Sequence, residues 1–334
     1  MPLIPPLTNR RILFLVCLLL IVLPVLRFTT FLRTPAGQGK SCVLFRFKDA
    51  VTFSRIAHEL SSNRIITSPL LFKVYGRLRG EDSKVKAGYY QFSDSMSPRE
   101  ILEKLVSGDV YRRPFVLPEG YSMYQAAALL DQQRLLNGTR FLTLCSNRDI
   151  LRIFGIEGKT VEGYLVPGTY NVEPDMDENS LLTVMLTPFS QTRRPRYAAR
   201  LLSSGKSWQE ILTMASMIDK EAVAPAERPL IASVFYNRLA RGMRLQSDPT
   251  AVYGLRAFAG KVTRDDILRP SAYNTYLIAG LPPGPIANPG DEAIEAALVP
   301  ARTPYLYFVA RQDGSHQFSA TLEEHNRAVR KYLR

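Results

Sequence analysis

The chain has 334 residues, 46% apolar and 22% charged, ordinary proportions for a globular protein and enough length for two cores. Three histidines and three cysteines without paired spacing exclude a structural zinc site, and no cofactor motif is present. A net charge of +13, with no helix-turn-helix, RNA-recognition or finger pattern, points away from nucleic acid. It suits an acidic polymer, a membrane surface or simply a solvated basic exterior.

The first element is an apolar run from Ile12 to Leu26, preceded by Arg10 and Arg11. A membrane span needs roughly 17–25 residues. Phe28 to Leu32 extend the run if Arg27 snorkels to the headgroups. No small-x-small cleavage site follows, and Cys17 lies behind the bulky Val16 rather than in a lipoprotein box. The expectation is an uncleaved anchor over 12–32, with residues 1–11 cytoplasmic and the remainder outside the inner membrane. Residues 33–40 read as a flexible linker.

Cys42 to Lys48 has strand composition, and Thr52 to Leu60 carries apolar residues at helical spacing. Ser68-Pro69 opens a helix to about Leu78, and Ala87 to Phe92 reads as a second strand. Ser97-Pro-Arg-Glu100 is a capping box with Pro at the first helical position. The β-α-α-β order defines a module over 41–112. The run from Phe115 to Ala127 repeats its strand, turn and amphipathic helix. Beyond Arg113 the order is mixed, so residues 113–334 are expected to form an α+β domain. Cys42 and Cys145 are either a pair or two separate thiols.

Ser207-Trp-Gln-Glu210 is another capping box, so a helix starts at Trp208. Ile211, Ala215, Ile218 and Ala222 form its apolar centre, with Asp219 and Glu221 at opposite edges and Lys220 on the outer face. Pro225 ends the helix soon after Glu221. The negative end of the dipole and the apolar neighbours then favour a protonated Glu221, suited to general-acid work. Glycosidases that use two carboxyl groups need them about 5–5.5 or 6.5–9.5 Å apart. Asp219 and Glu221 do not meet that need, so the chemistry must run on one carboxyl group or recruit another through folding.

Ala215-Ser-Met-Ile-Asp-Lys-Glu221 resembles the Ala-Ser-Ile-(Ile/Val)-Glu-Lys-Glu motif of the YceG-like family of endolytic murein transglycosylases. The resemblance continues through Glu162 to Tyr170, Glu227-Arg228, Val234 to Leu239, Gly242 to Pro249, Ser271 to Tyr276, Gly280 to Ile286, Pro304 to Val309 and His316 to Asn326. It implies Glu221 as the catalytic glutamate. Asp219 stands where the family has glutamate, and Gly168 where it has aspartate. It also implies cleavage of the β-1,4 bond between N-acetylmuramic acid and N-acetylglucosamine in nascent strands. Glu221 would protonate the leaving oxygen, then take the proton of the C6 hydroxyl that attacks C1, giving a 1,6-anhydro end. Peptidoglycan strands and membrane-bound synthases are the implied partners, with the catalytic domain in the periplasm.

Glu162, Asn237, Gln246, Asp248, Tyr273, Asn274 and Tyr276 are the candidate sugar-binding residues, by side-chain type and position in these blocks. Arg228 and Arg238 are candidates for anionic peptide stems. The βααβ module resembles a LysM domain, which implies glycan binding or a spacer. The alternatives are a muramidase, with Glu162 or Asp248 as second carboxylate, and a non-catalytic scaffold for synthases.

Overall fold

The computed structural model describes residues 9–254 and 262–333, with side chains from residue 18 onward. The chain divides into two compact units, Met1–Arg112 and Arg113–Arg334.

The first unit holds α1 (Asn9–Arg33), β1 (Cys42–Phe47), α2 (Phe53–Ser62), α3 (Pro69–Arg79), β2 (Gly88–Ser93) and α4 (Pro98–Ser107). β1 and β2 pair antiparallel, with Cys42 opposite Ser93 and Phe47 opposite Gly88. Their inward residues Phe45, Phe47, Tyr90 and Phe92 meet Ile56, Leu60 and Phe72 from the helices in one buried core. Ser68 and Ser97 cap α3 and α4 as the sequence predicts, each accepting a backbone N–H from its third helical residue.

Two N-terminal expectations change. Phe31 is buried in this core and Phe28 packs beside it, its ring 6.4 Å from Tyr75. The last turn of α1 therefore serves the module and is not free to extend a membrane run. Residues 33–40 are tied down as well. Gly37 N–H donates to the Asp94 carbonyl at 2.7 Å, and Gly39 N–H donates to Asp94 Oδ1 at 2.6 Å. Among the described residues no helix is long and apolar enough to cross a membrane. Of the expected anchor, the side chains of 12–17 lie outside the described residues, as do residues 1–8 of the expected cytoplasmic segment.

The second unit begins with β3 (Pro114–Leu117), α5 (Met123–Gln132), α6 (Gly138–Cys145), α7 (Arg148–Ile153) and β4 (Gly168–Asn171). β3 pairs antiparallel with β4, so the β-helices-β order of the first unit recurs with one extra helix. α8 (Glu178–Pro188) runs through a π turn into α9 (Arg194–Ser204). α10 (Trp208–Glu221) and α11 (Arg228–Ala240) follow, then the short α12 (Asp248–Val252) and α13 (Arg264–Leu268). α14 (Asp291–Leu298), the hairpin of β5 (Tyr307–Ala310) and β6 (His316–Ser319), and α15 (Leu322–Tyr332) complete the unit. The fold is mixed α+β, with short two-stranded sheets and a helical core.

α10 is the centre of this unit, packed against α11, α12 and α14. It is not amphipathic: every residue from Ile211 to Ile218 is buried. Thr213 and Ser216 are buried because their hydroxyls are satisfied locally. They donate to the Gln209 and Thr213 carbonyls at 2.6 and 2.8 Å, and Ser216 Oγ also accepts the Ile286 N–H. Cys145 is buried and free and Cys42 is exposed and free, so the two thiols are unpaired.

Candidate active site

α10 starts at the Ser207–Glu210 capping box and ends at Glu221, where Ala222 turns extended. The chain then makes a 3-10 turn, Pro225–Glu227. Glu227 secures that turn. Its Oε1 accepts the His316 N–H at 2.9 Å, and its Oε2 lies 2.7 Å from His316 Nδ1.

Glu221 Oε1 accepts a 2.5 Å hydrogen bond from Ser247 Oγ. Burial pushes the Glu221 carboxyl up to about 7; the Ser247 bond opposes this, and the nearby negative Asp248 adds to it. Lys220 and Arg238 pull weakly the other way. A carboxyl group that exchanges its proton near neutral pH suits general acid-base work.

Asp219 engages a different set of partners. Its carboxylate pairs with Arg228 Nη2 at 3.2 Å and accepts the Gly290 N–H at 3.4 Å. Glu119 shares that side, its carboxyl raised by burial and then by Asp219. The two carboxylates of the motif therefore do not act as a pair. Lys220 is not solvated as the helical wheel suggests: it is half-buried and donates to the Gly120 carbonyl at 3.3 Å.

The structure brings Asp248 and Tyr276 to Glu221. The Tyr276 hydroxyl donates to Asp248 Oδ1 at 2.5 Å, and both groups couple electrostatically to Glu221. Gln246, just before Ser247, is exposed and accepts from Arg238 Nη1 at 3.4 Å. Its φ of 51° is a left-handed conformation that a side chain this size adopts only when its surroundings impose it.

Other candidates lie elsewhere or are already spent. Glu162 is 1% exposed and accepts from Met123 N–H, Tyr253 OH and Asn288 Nδ2 at 2.8–3.0 Å, a buried clamp between three segments. Asn274 is fully buried, and its amide donates to the Ile267 and Arg269 carbonyls at 2.9 Å. It shapes the loop that carries Thr275 and Tyr276 and offers nothing to a sugar. Asn237 donates to the Thr303 and Tyr305 carbonyls at 2.8 and 2.9 Å. Tyr273 packs on Tyr253, ring centroids 4.6 Å apart.

Arg228 is bound to Asp219 and Glu292, and Arg238 is buried against the Leu245 and Leu306 carbonyls, so neither is free for a peptide stem. Among the described residues no group of histidine, cysteine and carboxylate side chains is arranged to hold a metal ion.

Sequence reasoning missed Ser247, Thr250 and Thr275. All three lie within or beside the quoted motif blocks, but a serine before Asp-Pro reads as an ordinary helix cap.

The chain is similar to several known proteins. The YceG-like family matches residues 45–331. A Bacillus subtilis (strain 168) protein named endolytic murein transglycosylase is 35% identical over 316 residues, 89% of this chain and 86% of that protein. A protein of the same name from Streptococcus pneumoniae serotype 2 (strain D39 / NCTC 7466) is 28% identical, spanning 89% of this chain but 59% of its own length. The 2.6 Å crystal structure of a yceG-like protein from Listeria monocytogenes is similar at 34% identity and a TM-score of 0.60, covering 86% of this chain and 99% of that one.

Proposed function

The chain belongs to the YceG-like family, and we propose that it is an endolytic murein transglycosylase in which Glu221 is the single acid and base. One observation carries this reading. Glu221 closes a buried helix and is held by a 2.5 Å hydroxyl bond, in surroundings whose burial pushes its carboxyl up to about 7. In the proposed reaction the protonated carboxyl gives its proton to the glycosidic oxygen as the C1–O bond breaks. The resulting carboxylate accepts the proton of the muramic C6 hydroxyl while that oxygen bonds to C1. The carboxyl group ends protonated as it began, no water is consumed, and the product ends in a 1,6-anhydro sugar.

Asp219 is committed to Arg228 and Gly290, and Glu162 to its three donors, so neither supports a second catalytic role. Asp248 supports the second reading, a muramidase, because it is exposed and stands beside Glu221. In the transglycosylase reading it stabilises the positive charge that develops at C1. A synthase scaffold without activity would leave the raised carboxyl of Glu221 with no task.

Membrane attachment and periplasmic placement are part of the same proposal. The leucines, valines and isoleucine of α1 from Leu18 to Leu26 are 46–67% exposed. That supports α1 as the inner-membrane attachment, with strand-building synthases as neighbours and the βααβ module as a glycan contact or spacer.

Glu221→Gln keeps size and polarity but removes the transferable proton. Release of fragments from purified murein is expected to fall by about 10²- to 10⁴-fold. Release at the wild-type rate would overturn the assignment.

A further inference from the structure

Ser247 occupies the N-cap of α12, yet its side chain makes no cap bond. Ser68, Ser97, Ser122 and Ser207 hold the same position in other helices, and each accepts the N–H three residues on. At Ser247 the hydroxyl proton goes instead to Glu221 Oε1, at 2.5 Å. Ser247 is 2% exposed, so it lies under the acid and is not a substrate contact.

The hydroxyls behind it have one consistent direction. Thr250 Oγ1 donates to the Ser247 carbonyl at 2.6 Å, which uses its only proton. The 2.8 Å bond between Thr250 and Thr275 must then run from Thr275 to Thr250. Thr275 Oγ1 in turn accepts the Ser247 N–H at 3.0 Å. Thr250 and Thr275 are fully buried, so both polar backbone groups of Ser247 are fixed by groups that have no water to turn to. The strained backbone of Gln246 is the entry to this lock.

We propose that Ser247 is a positioning residue for the acid: by donating to Oε1 of Glu221 it leaves Oε2 as the oxygen that carries the proton and meets the glycosidic oxygen. This rests on the reading of Glu221 as the acid. A donor on one oxygen fixes the plane of the carboxyl group and prevents the proton from sitting on the buried side. It also steadies the carboxylate that must form when the leaving group departs.

The other charged or titratable groups that face Glu221 are Lys220 on α10, Arg238 on α11, Asp248 on α12 and the neutral Tyr276 on the loop after α13. The acidic groups of α14, Asp291, Glu292 and Glu295, turn instead to Arg193, Arg228 and Arg196. Among the groups around Glu221 the Ser247 donation is the largest influence favouring the ionised form. Its removal leaves the acid protonated to higher pH.

The test compares kcat and KM against pH on purified murein for the full chain, Ser247→Ala and Ser247→Thr. Ser247→Ala is expected to lower kcat by about tenfold or more with little change in KM. Its alkaline limb should move up by about one pH unit. Ser247→Thr keeps the hydroxyl and should return the limb towards wild type. A Ser247→Ala enzyme with wild-type kcat and an unmoved limb overturns the proposal.

If Ser247→Ala does not fold, Thr275→Val removes the acceptor of the Ser247 N–H. It should move the limb in the same direction by less, and an unmoved limb there is equally fatal. An active Glu221→Gln would sink the reading of the acid itself. An inactive Glu221→Gln with an unmoved Ser247→Ala limb sinks only the role of Ser247.

Discussion

Two glutamates at the residue scale, Glu221 half-buried and Glu162 buried, have opposite tasks. Glu221 has one hydroxyl donor and a raised carboxyl; Glu162 has three donors and holds the interior together. Because Glu221 must start protonated and sits at about 7, cleavage of murein should decline as pH rises through neutrality. A pH profile of kcat/KM that stays flat to pH 9 would contradict this.

Burial pushes the Glu162 carboxyl from 4.5 up to about 8. The folded state therefore binds that proton more tightly than the unfolded one. Its contribution to stability is complete below pH 4.5 and is lost as pH rises to 8. Denaturant midpoints across that window should fall for the wild type and fall less for Glu162→Gln. Glu162→Ala strands its donors in the core, at a cost of about 3 kcal/mol or more. A loss under 1 kcal/mol in urea melts would refute the clamp.

At the element scale, local chemistry explains what could be read in advance. The start and end of α10 follow from Ser207–Glu210 and Pro225, both short-range signals. The burial of its whole circumference was not legible, because Thr213 and Ser216 hide their hydroxyls by bonding back to the helix. The place of Glu221 in the last turn of α10 was legible from Pro225. Asn274 was misjudged because an amide beside turn residues looks the same in sequence whether it faces a sugar or a set of carbonyls. Ser247 was not legible at all, since the departure from capping is a tertiary event.

Close packing between elements gives a further prediction. Gly163 has φ +86°, and a Cβ there would stand 2.5 Å from the Pro285 ring. Its N–H also donates to Asn288 Oδ1 at 2.8 Å, beside Glu162. Gly163→Ala should cost about 2 kcal/mol or more, from strain and overpacking together. Thermal unfolding of this variant at the wild-type temperature would show that the turn can relax.

For the whole molecule, the sequence conveyed the α+β class and the family, because many motif blocks recur in order. It misjudged the join between α1 and the first unit. Phe28 and Phe31 belong to the module core, and Asp94 binds the segment that composition marks as flexible. Removal of residues 1–26 should therefore release the protein from membranes while leaving the module folded. Vesicle flotation with circular dichroism measures both. Removal through Arg33 takes Phe31 as well and should destabilise the module. Continued flotation of the shorter deletion would contradict attachment through α1.

The central claim is that one carboxyl group cleaves the strand without water. It is tested most directly by digesting murein with the full chain and weighing the new ends by mass spectrometry. Internal fragments ending in 1,6-anhydro-N-acetylmuramic acid, each lighter by one water than a hydrolysis product, are the predicted result. Reducing N-acetylmuramic acid ends would contradict it and move the catalytic pair to Glu221 and Asp248.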